Sequence, residues 1–276
     1  MKYCYLLGYP VEHSISPDIQ NAAFHAKGLE VEYRLAKISP EKLATFVDEL
    51  RDKSVLGFNV TIPHKVEVLK HLDEVEENAR AIGAVNTVKN SGGHLIGFNT
   101  DGVGGVKALE ETYGPLEDAR VLILGAGGAA RALTYSLIRK VKCICILNRN
   151  PPKAYELASE LKQKIDEDII GEGLDSLEKR ISDADILINT TPIGMKPDNE
   201  NSPITPSLLR DNLFVYDIVY NPIKTKLLRD AEKAGAKTLS GVKMLVYQGA
   251  EAFKLWTGVE PPMELMLEKA LDALGG

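Results

Sequence analysis

Apolar and polar residues alternate through Phe58, Asn59, Val60, Thr61 and Ile62, the two-residue period of a strand with one buried face. Pro63 ends that ladder, and a helix is expected to begin there, with Lys65 at its start. A helix N-terminus carries partial positive charge, so a lysine in that place is locally disfavoured and asks for a reason. Further strand-like runs cover residues 3–7, 31–36 and 84–89, separated by helical patterns near 17–27, 41–51 and 65–80. SGG at 91–93 turns the chain into 95–98 as a hairpin, so the sheet of this half is expected to be mixed.

From Asp101 a helical pattern runs to about residue 113, where Gly114 and Pro115 stop it. VLILG at 121–125 then begins a series of strands: CICIL at 143–147, a weak one near 168–170, DILINT at 185–190 and FVYDIV at 214–219, with helices between them. Such alternation implies right-handed parallel crossovers and a doubly wound sheet covered on both faces. After Gly241 only helix is predicted, over 242–256 and 262–274. The expectation is an α/β protein of two domains. Residues 1–101 form an α/β domain with a mixed sheet, completed by helices returning over 241–276, and residues 102–240 form a Rossmann-type domain.

Composition narrows the function. A chain of 276 residues with 44% apolar and 26% charged residues can bury large cores and contains no low-complexity stretch. Net charge of -6 leaves no broad basic surface, so nucleic acid is not expected as a partner. The first residues lack a secretory pattern, and no later run reaches membrane-spanning length. Three cysteines form no even framework, and the five histidines have no metal-site spacing. A cytoplasmic protein with reduced thiols and no metal is expected.

Gly125, Gly127 and Ala130 form GxGxxA between a buried strand and a helix. The first glycine permits the tight turn, the second admits a pyrophosphate to the backbone, and the small third residue lets helix meet strand. The next strand ends in LNRNPPK, without the acid that would hold a ribose 2′-hydroxyl. Asn148 is neutral there, and Arg149 and Lys153 place two cations where a 2′-phosphate would lie, which favours NADP over NAD.

Three polar clusters mark the first hundred residues: HSISP at 13–17, NVTIPHK at 59–65, and VNTVKN with GFNTDG from 85 to 102. Ser16, before Pro17 and Asp18, is a suitable helix cap with Gly28 as the stop. Ser14 beside it suits a carboxylate or polyol, and Asn59, Thr61, Asn86 and Thr100 are the neutral groups that grip hydroxyls. Asp73, Glu74, Glu76 and Glu77 read as a solvated helix face.

Together SIS, NVTIPHK, GAVNT, GFNTDG, GAGGAARA, NTTPIGM, YDIVYNP and GxxMLVYQG, in this order over the whole chain, resemble the shikimate dehydrogenase family. The resemblance implies hydride transfer from NADPH to the ketone of 3-dehydroshikimate, with Lys65 and Asp101 as the catalytic pair. It implies Ser14 and Ser16 at the substrate carboxylate, and Asn59, Thr61, Asn86, Tyr220 and Gln248 around the ring. NADP would lie on Gly125, Ala126, Gly127, Gly128, Ala129 and Ala130, with Asn148, Arg149 and Lys153 at its adenosine end and Ile218 and Gly241 at its nicotinamide end. Where the family often has threonine after NR, this chain has Asn150, Pro151 and Pro152, which implies rearranged adenosine contacts. The implied partners are shikimate and 3-dehydroshikimate, with no membrane; a homodimer is left open. The alternatives are a quinate/shikimate dehydrogenase using NAD or NADP and a non-catalytic NADP-binding sensor.

Overall fold

The computed structural model describes residues 1–165, 167 and 169–275. The chain forms two compact units, Met1–Gly104 with Val246–Gly276, and Gly105–Leu245.

The first unit opens with β1 (Lys2–Gly8), α1 (Ser16–Ala26), β2 (Val31–Lys37), α2 (Leu43–Glu49) and β3 (Val55–Val60). β4 (Glu74–Val75), α3 (Glu77–Ile82) and the hairpin β5 (Thr87–Ser91) and β6 (His94–Phe98) follow, and α4 (Asp101–Tyr113) begins in this unit and continues into the second. Its sheet has the order β2-β1-β3-β5-β6-β4. Strands β2, β1 and β3 run parallel, whereas β3-β5 and β5-β6 are antiparallel, so the sheet is mixed as the hairpin required. Leu7, Phe58, Val60, Val85, Val88 and Leu95 pack with Leu43 and Val47 of α2 into one core. Full burial of such side chains contributes about 1.5–3 kcal/mol each.

The second unit runs β7 (Arg120–Leu124), α5 (Gly128–Leu137), β8 (Cys143–Asn148), α6 (Pro151–Ile165), β9 (Ile169–Gly173), α7 (Leu177–Asp183) and β10 (Ile186–Asn189). It ends with β11 (Phe214–Asp217), α8 (Lys226–Lys233) and β12 (Lys237–Ser240). All six strands are parallel in the order β12-β11-β10-β7-β8-β9, the doubly wound arrangement whose order reverses between β7 and β10. Leu122, Leu187 and Val215 on the sheet are covered by Ile181, Leu227, Leu228 and Ala231.

Two last helices, α9 (Val242–Thr257) and α10 (Met263–Leu274), return to the first unit. Phe253 stacks on Phe24 at 5.1 Å between centroids, and Trp256 Nε1 donates to Val88 O at 2.9 Å. Gly57 makes room for that indole, since a Cβ there would lie 2.3 Å from Nε1.

Four local expectations are corrected. Residues 65–80 do not form one helix: a 3-10 turn over Glu67–His71 gives way to β4 and then α3. The Asp73 carboxylate accepts the Leu95 N–H at 2.7 Å and pairs with Arg51 at 2.5 Å, which holds the chain extended. Glu76 accepts the Ala79 N–H at 3.1 Å and caps α3, so these acids are not merely a solvated face. Ser16 is the first residue of α1 rather than its cap; Ser14 Oγ accepts the Ser16 N–H at 3.2 Å one step earlier. The edge strand β12 lies outside every strand that the pattern predicts. Of the strand near 168–170, Asp168 lies outside the described residues and β9 begins at Ile169.

Candidate active site

No α-helix begins at Lys65. After β3 the chain turns: Thr61 N–H donates to Leu7 O at 2.8 Å and His64 N–H to Thr61 O at 2.9 Å. The buried His64 ring donates from Nε2 to Ile38 O at 2.6 Å, and Val85 N–H donates to Lys65 O at 2.8 Å, so the backbone carrying the lysine is pinned from two sides. The conflict between a cation and a helix start therefore does not arise.

The helix start lies under the anion instead. Asp101 is the first residue of α4, where Asn99 Oδ1 accepts the N–H groups of Asp101 and Gly102 at 3.1 and 3.4 Å. Lys65 Nζ stands 2.5 Å from Asp101 Oδ2, with side-chain exposures of 16% and 6%. Two positive sources thus face one carboxylate: an ammonium and the N-terminus of α4.

Asn86 occupies the other carboxylate oxygen, donating from Nδ2 to Asp101 Oδ1 at 2.9 Å. The same nitrogen reaches Thr100 Oγ1 at 3.0 Å and Gln248 Oε1 at 3.2 Å, while Asn86 Oδ1 accepts the Thr100 N–H at 2.7 Å. Behind this group Asn59 donates to Thr87 Oγ1 at 2.9 Å and to Asn86 O at 3.1 Å, and accepts from Tyr33 Oη at 2.7 Å. Both ends of the Asn59 amide are therefore engaged within the protein. The Thr61 hydroxyl has no hydrogen bond among the described residues.

The fold thus brings Lys65, Asp101, Asn86 and Gln248 into one hydrogen-bonded group. Ser14 and Ser16 meet each other, at 3.1 Å between hydroxyl oxygens, but no direct hydrogen bond joins them or Thr61 to that group. Tyr33, His64, Thr87 and Asn99 are supporting residues that sequence reasoning missed. Asn99 alone left a signal, as a cap residue before an acid and a helix.

In the second unit the chain leaves β7 through Gly125 at φ +108, where a Cβ would lie 2.5 Å from Thr190 Oγ1. At Gly127 a Cβ would meet nothing within 4 Å, so its backbone face is open. No side chain caps α5, and among the described residues no acceptor takes the N–H groups of Gly127, Gly128, Ala129 or Ala130. Open donors at a helix start with an unobstructed glycine fit a pyrophosphate. At the end of β8 the Asn148 amide donates to Asn150 O at 2.9 Å. Arg149 and Lys153 are exposed, and their side chains have no ion pair or hydrogen bond among the described residues, so their charge is available to a phosphate. These residues fit NADP. Ile218 and Gly241 abut, since a Cβ on Gly241 would lie 2.0 Å from Ile218 O; Tyr220 is half-buried in the segment after β11.

Comparison with known proteins fits this geometry. Residues 6–88 match the shikimate dehydrogenase substrate binding domain, 107–219 the shikimate / quinate 5-dehydrogenase domain, and 241–271 the shikimate 5′-dehydrogenase C-terminal domain. Shikimate dehydrogenase (NADP(+)) of Methanocaldococcus jannaschii is 47% identical over 274 residues, covering 98% of this chain and 96% of that protein. A crystal structure of a shikimate dehydrogenase in complex with NADP+ superposes with a TM-score of 0.93 at 45% identity, covering 99% of this chain and 96% of the other. The Thermus thermophilus enzyme in complex with NADP(H) and shikimate gives 0.88 at 38% identity, covering 99% and 100%. Identity of this order across nearly the full length of both chains, on the same fold, places this chain in the shikimate dehydrogenase family.

Proposed function

We propose that this chain catalyses the reversible NADPH-dependent reduction of 3-dehydroshikimate to shikimate. The observation that carries the reading is the Lys65–Asp101 pair, nearly buried at 2.5 Å and braced by Asn86. Bound NADP(H) supplies the hydride donor or acceptor. As the ketone becomes an alkoxide, negative charge gathers on its oxygen, and an ammonium beside it stabilises that charge and delivers the proton. Lys65 suits that role better than Asp101. Its Nζ has three N–H groups and one partner among the described residues, whereas both Asp101 oxygens already accept. Asp101 holds the ammonium in place and retains lone pairs for a substrate hydroxyl.

Asn86, Thr61 and Gln248 offer further polar atoms to the ring hydroxyls, with Asn59 supporting Asn86 from behind, and Ser14 and Ser16 receive the carboxylate. The first unit is thus the substrate-binding unit, and the second holds NADP through residues 125–130, Asn148, Arg149, Lys153, Ile218 and Gly241. A cytoplasmic location belongs to the same reading, supported by three cysteines that form no disulfide. Steady-state rates on shikimate and quinate, each with NADP and NAD, test it: kcat/KM should be highest for shikimate with NADP. A higher value for quinate with NAD would overturn it.

A further inference from the structure

Asp217 ends β11 with a carboxylate that is 0% exposed and that no cation among the described residues neutralises. Three donors converge on it from three stretches of chain. Asn189 Nδ2 and Val219 N–H reach Oδ1 at 2.9 and 3.1 Å, and Thr225 Oγ1 reaches Oδ2 at 2.6 Å. Asn189 in turn shapes the turn after β10, its Oδ1 accepting the N–H and hydroxyl of Thr191 at 3.0 and 2.7 Å. Thr225 caps α8 by accepting the Leu228 N–H at 3.3 Å. Val219 stands between Ile218 and Tyr220, and its carbonyl receives the Gly241 N–H at 3.3 Å.

A buried charge without an ion partner is an expensive way to hold a fold, and burial raises this carboxyl to about 6 in spite of its three donors. Its use here has a chemical reason, because a carboxylate is the compact side chain with two acceptor-only oxygens. We propose that Asp217 is a positioning residue: by fixing the turn after β10, the Ile218–Tyr220 stretch and the start of α8 to one point, it sets where Ile218 and Tyr220 stand. The inference rests on the reaction proposed above.

The test compares wild type with Asp217→Ala, which removes all three acceptors, and Asp217→Asn. An asparagine can still accept from Asn189 and Val219 through its oxygen and donate to the Thr225 oxygen through its nitrogen. Adenosine 2′,5′-bisphosphate probes the adenosine end and reports whether the second unit is folded. Misplacement by a fraction of an ångström should cost Asp217→Ala about 30-fold in kcat/KM for shikimate, mostly in kcat, with affinity for the bisphosphate kept. Asp217→Asn should recover most of the lost rate. An Asp217→Ala enzyme within about twofold of wild type overturns the inference. So does loss of bisphosphate binding in step with turnover in both variants, since the carboxylate would then hold the whole unit rather than position two residues. Absence of shikimate turnover in wild type would bring down the reading beneath it as well, and so is told apart from either result.

Discussion

Replacing Asp101 by asparagine keeps the side chain's shape and removes its charge. Two donors face it from opposite ends, Lys65 Nζ at 2.5 Å from Oδ2 and Asn86 Nδ2 at 2.9 Å from Oδ1. Asparagine has one oxygen and one NH2, so either rotamer sets a donor against a donor. Asn86 cannot simply turn over, because its own oxygen accepts the Thr100 N–H at 2.7 Å. At 2.5 Å the gross attraction in an effective dielectric near 20 is about 7 kcal/mol, most of it offset by desolvation. Breaking a fully buried pair costs about 3–5 kcal/mol; with the lysine side chain 16% exposed, a loss of about 2–3 kcal/mol is expected. The catalytic loss should be larger, about 10³-fold in kcat, since an ammonium without its anchor no longer meets the developing alkoxide. Initial rates of NADP reduction by shikimate measure the second quantity and urea unfolding the first, while NADPH affinity should change less than about twofold. A folded Asp101→Asn enzyme with kcat within about tenfold of wild type would refute the pairing as the basis of catalysis.

Gly127→Ala adds a methyl that meets no protein atom within 4 Å, so urea unfolding should shift by less than about 1 kcal/mol while NADP affinity falls about tenfold or more. Gly125→Ala should do the reverse in first instance, destabilising by about 1–3 kcal/mol, because its Cβ would lie 2.5 Å from Thr190 Oγ1 on a backbone at φ +108. Arg149→Ala should weaken NADP about 10- to 100-fold and leave NAD within about twofold; equal losses for both would remove the guanidinium from the 2′-phosphate. For Asp217, raised from its ordinary 3.8 to about 6, the native state keeps between those values a proton that the unfolded chain has released. Stability relative to Asp217→Asn should therefore fall by about 3 kcal/mol as pH rises through that window and level off above it, and a flat or rising difference in urea unfolding would refute the assignment.

What the chain discloses along its length follows from how local each determinant is. VLILG and CICIL announce themselves because a parallel strand covered on both faces is apolar without interruption: β7 is buried from Val121 to Leu124, and in β8 the buried Ile144, Ile146 and Leu147 alternate with half-buried cysteines. KTLS, which forms β12, does not: it is an edge strand in which only Leu239 is buried, so little apolar signal survives. The acids at 73–77 mimic a helix face because the partners that pull Asp73 into extended chain, Arg51 and Leu95, are each 22 residues away. Lys65 and Asp101 could be named from their motifs, but which of them meets a helix start depends on the turn at 61–65 and the Asn99 cap.

Asn59 shows where residue type ceases to be enough. As a polar side chain on a strand next to Thr61, it has the chemistry to grip a hydroxyl. In the folded sheet β1 lies between β2 and β3, with Cys4 opposite Tyr33 and Leu6 opposite Asn59. The Tyr33 phenol reaches across β1 to the Asn59 oxygen, and the Asn59 nitrogen is spent on Asn86 and Thr87. No pattern within either strand encodes that meeting, because it depends on strand order. Two residues on, Thr61 keeps a hydroxyl with no partner among the described residues, and Lys65 keeps two of its three N–H groups. Such groups can meet a ligand without first giving up a bond, whereas either end of the Asn59 amide would have to break one within the protein. Asn59 therefore supports Asn86, by fixing the backbone from which that side chain reaches Asp101.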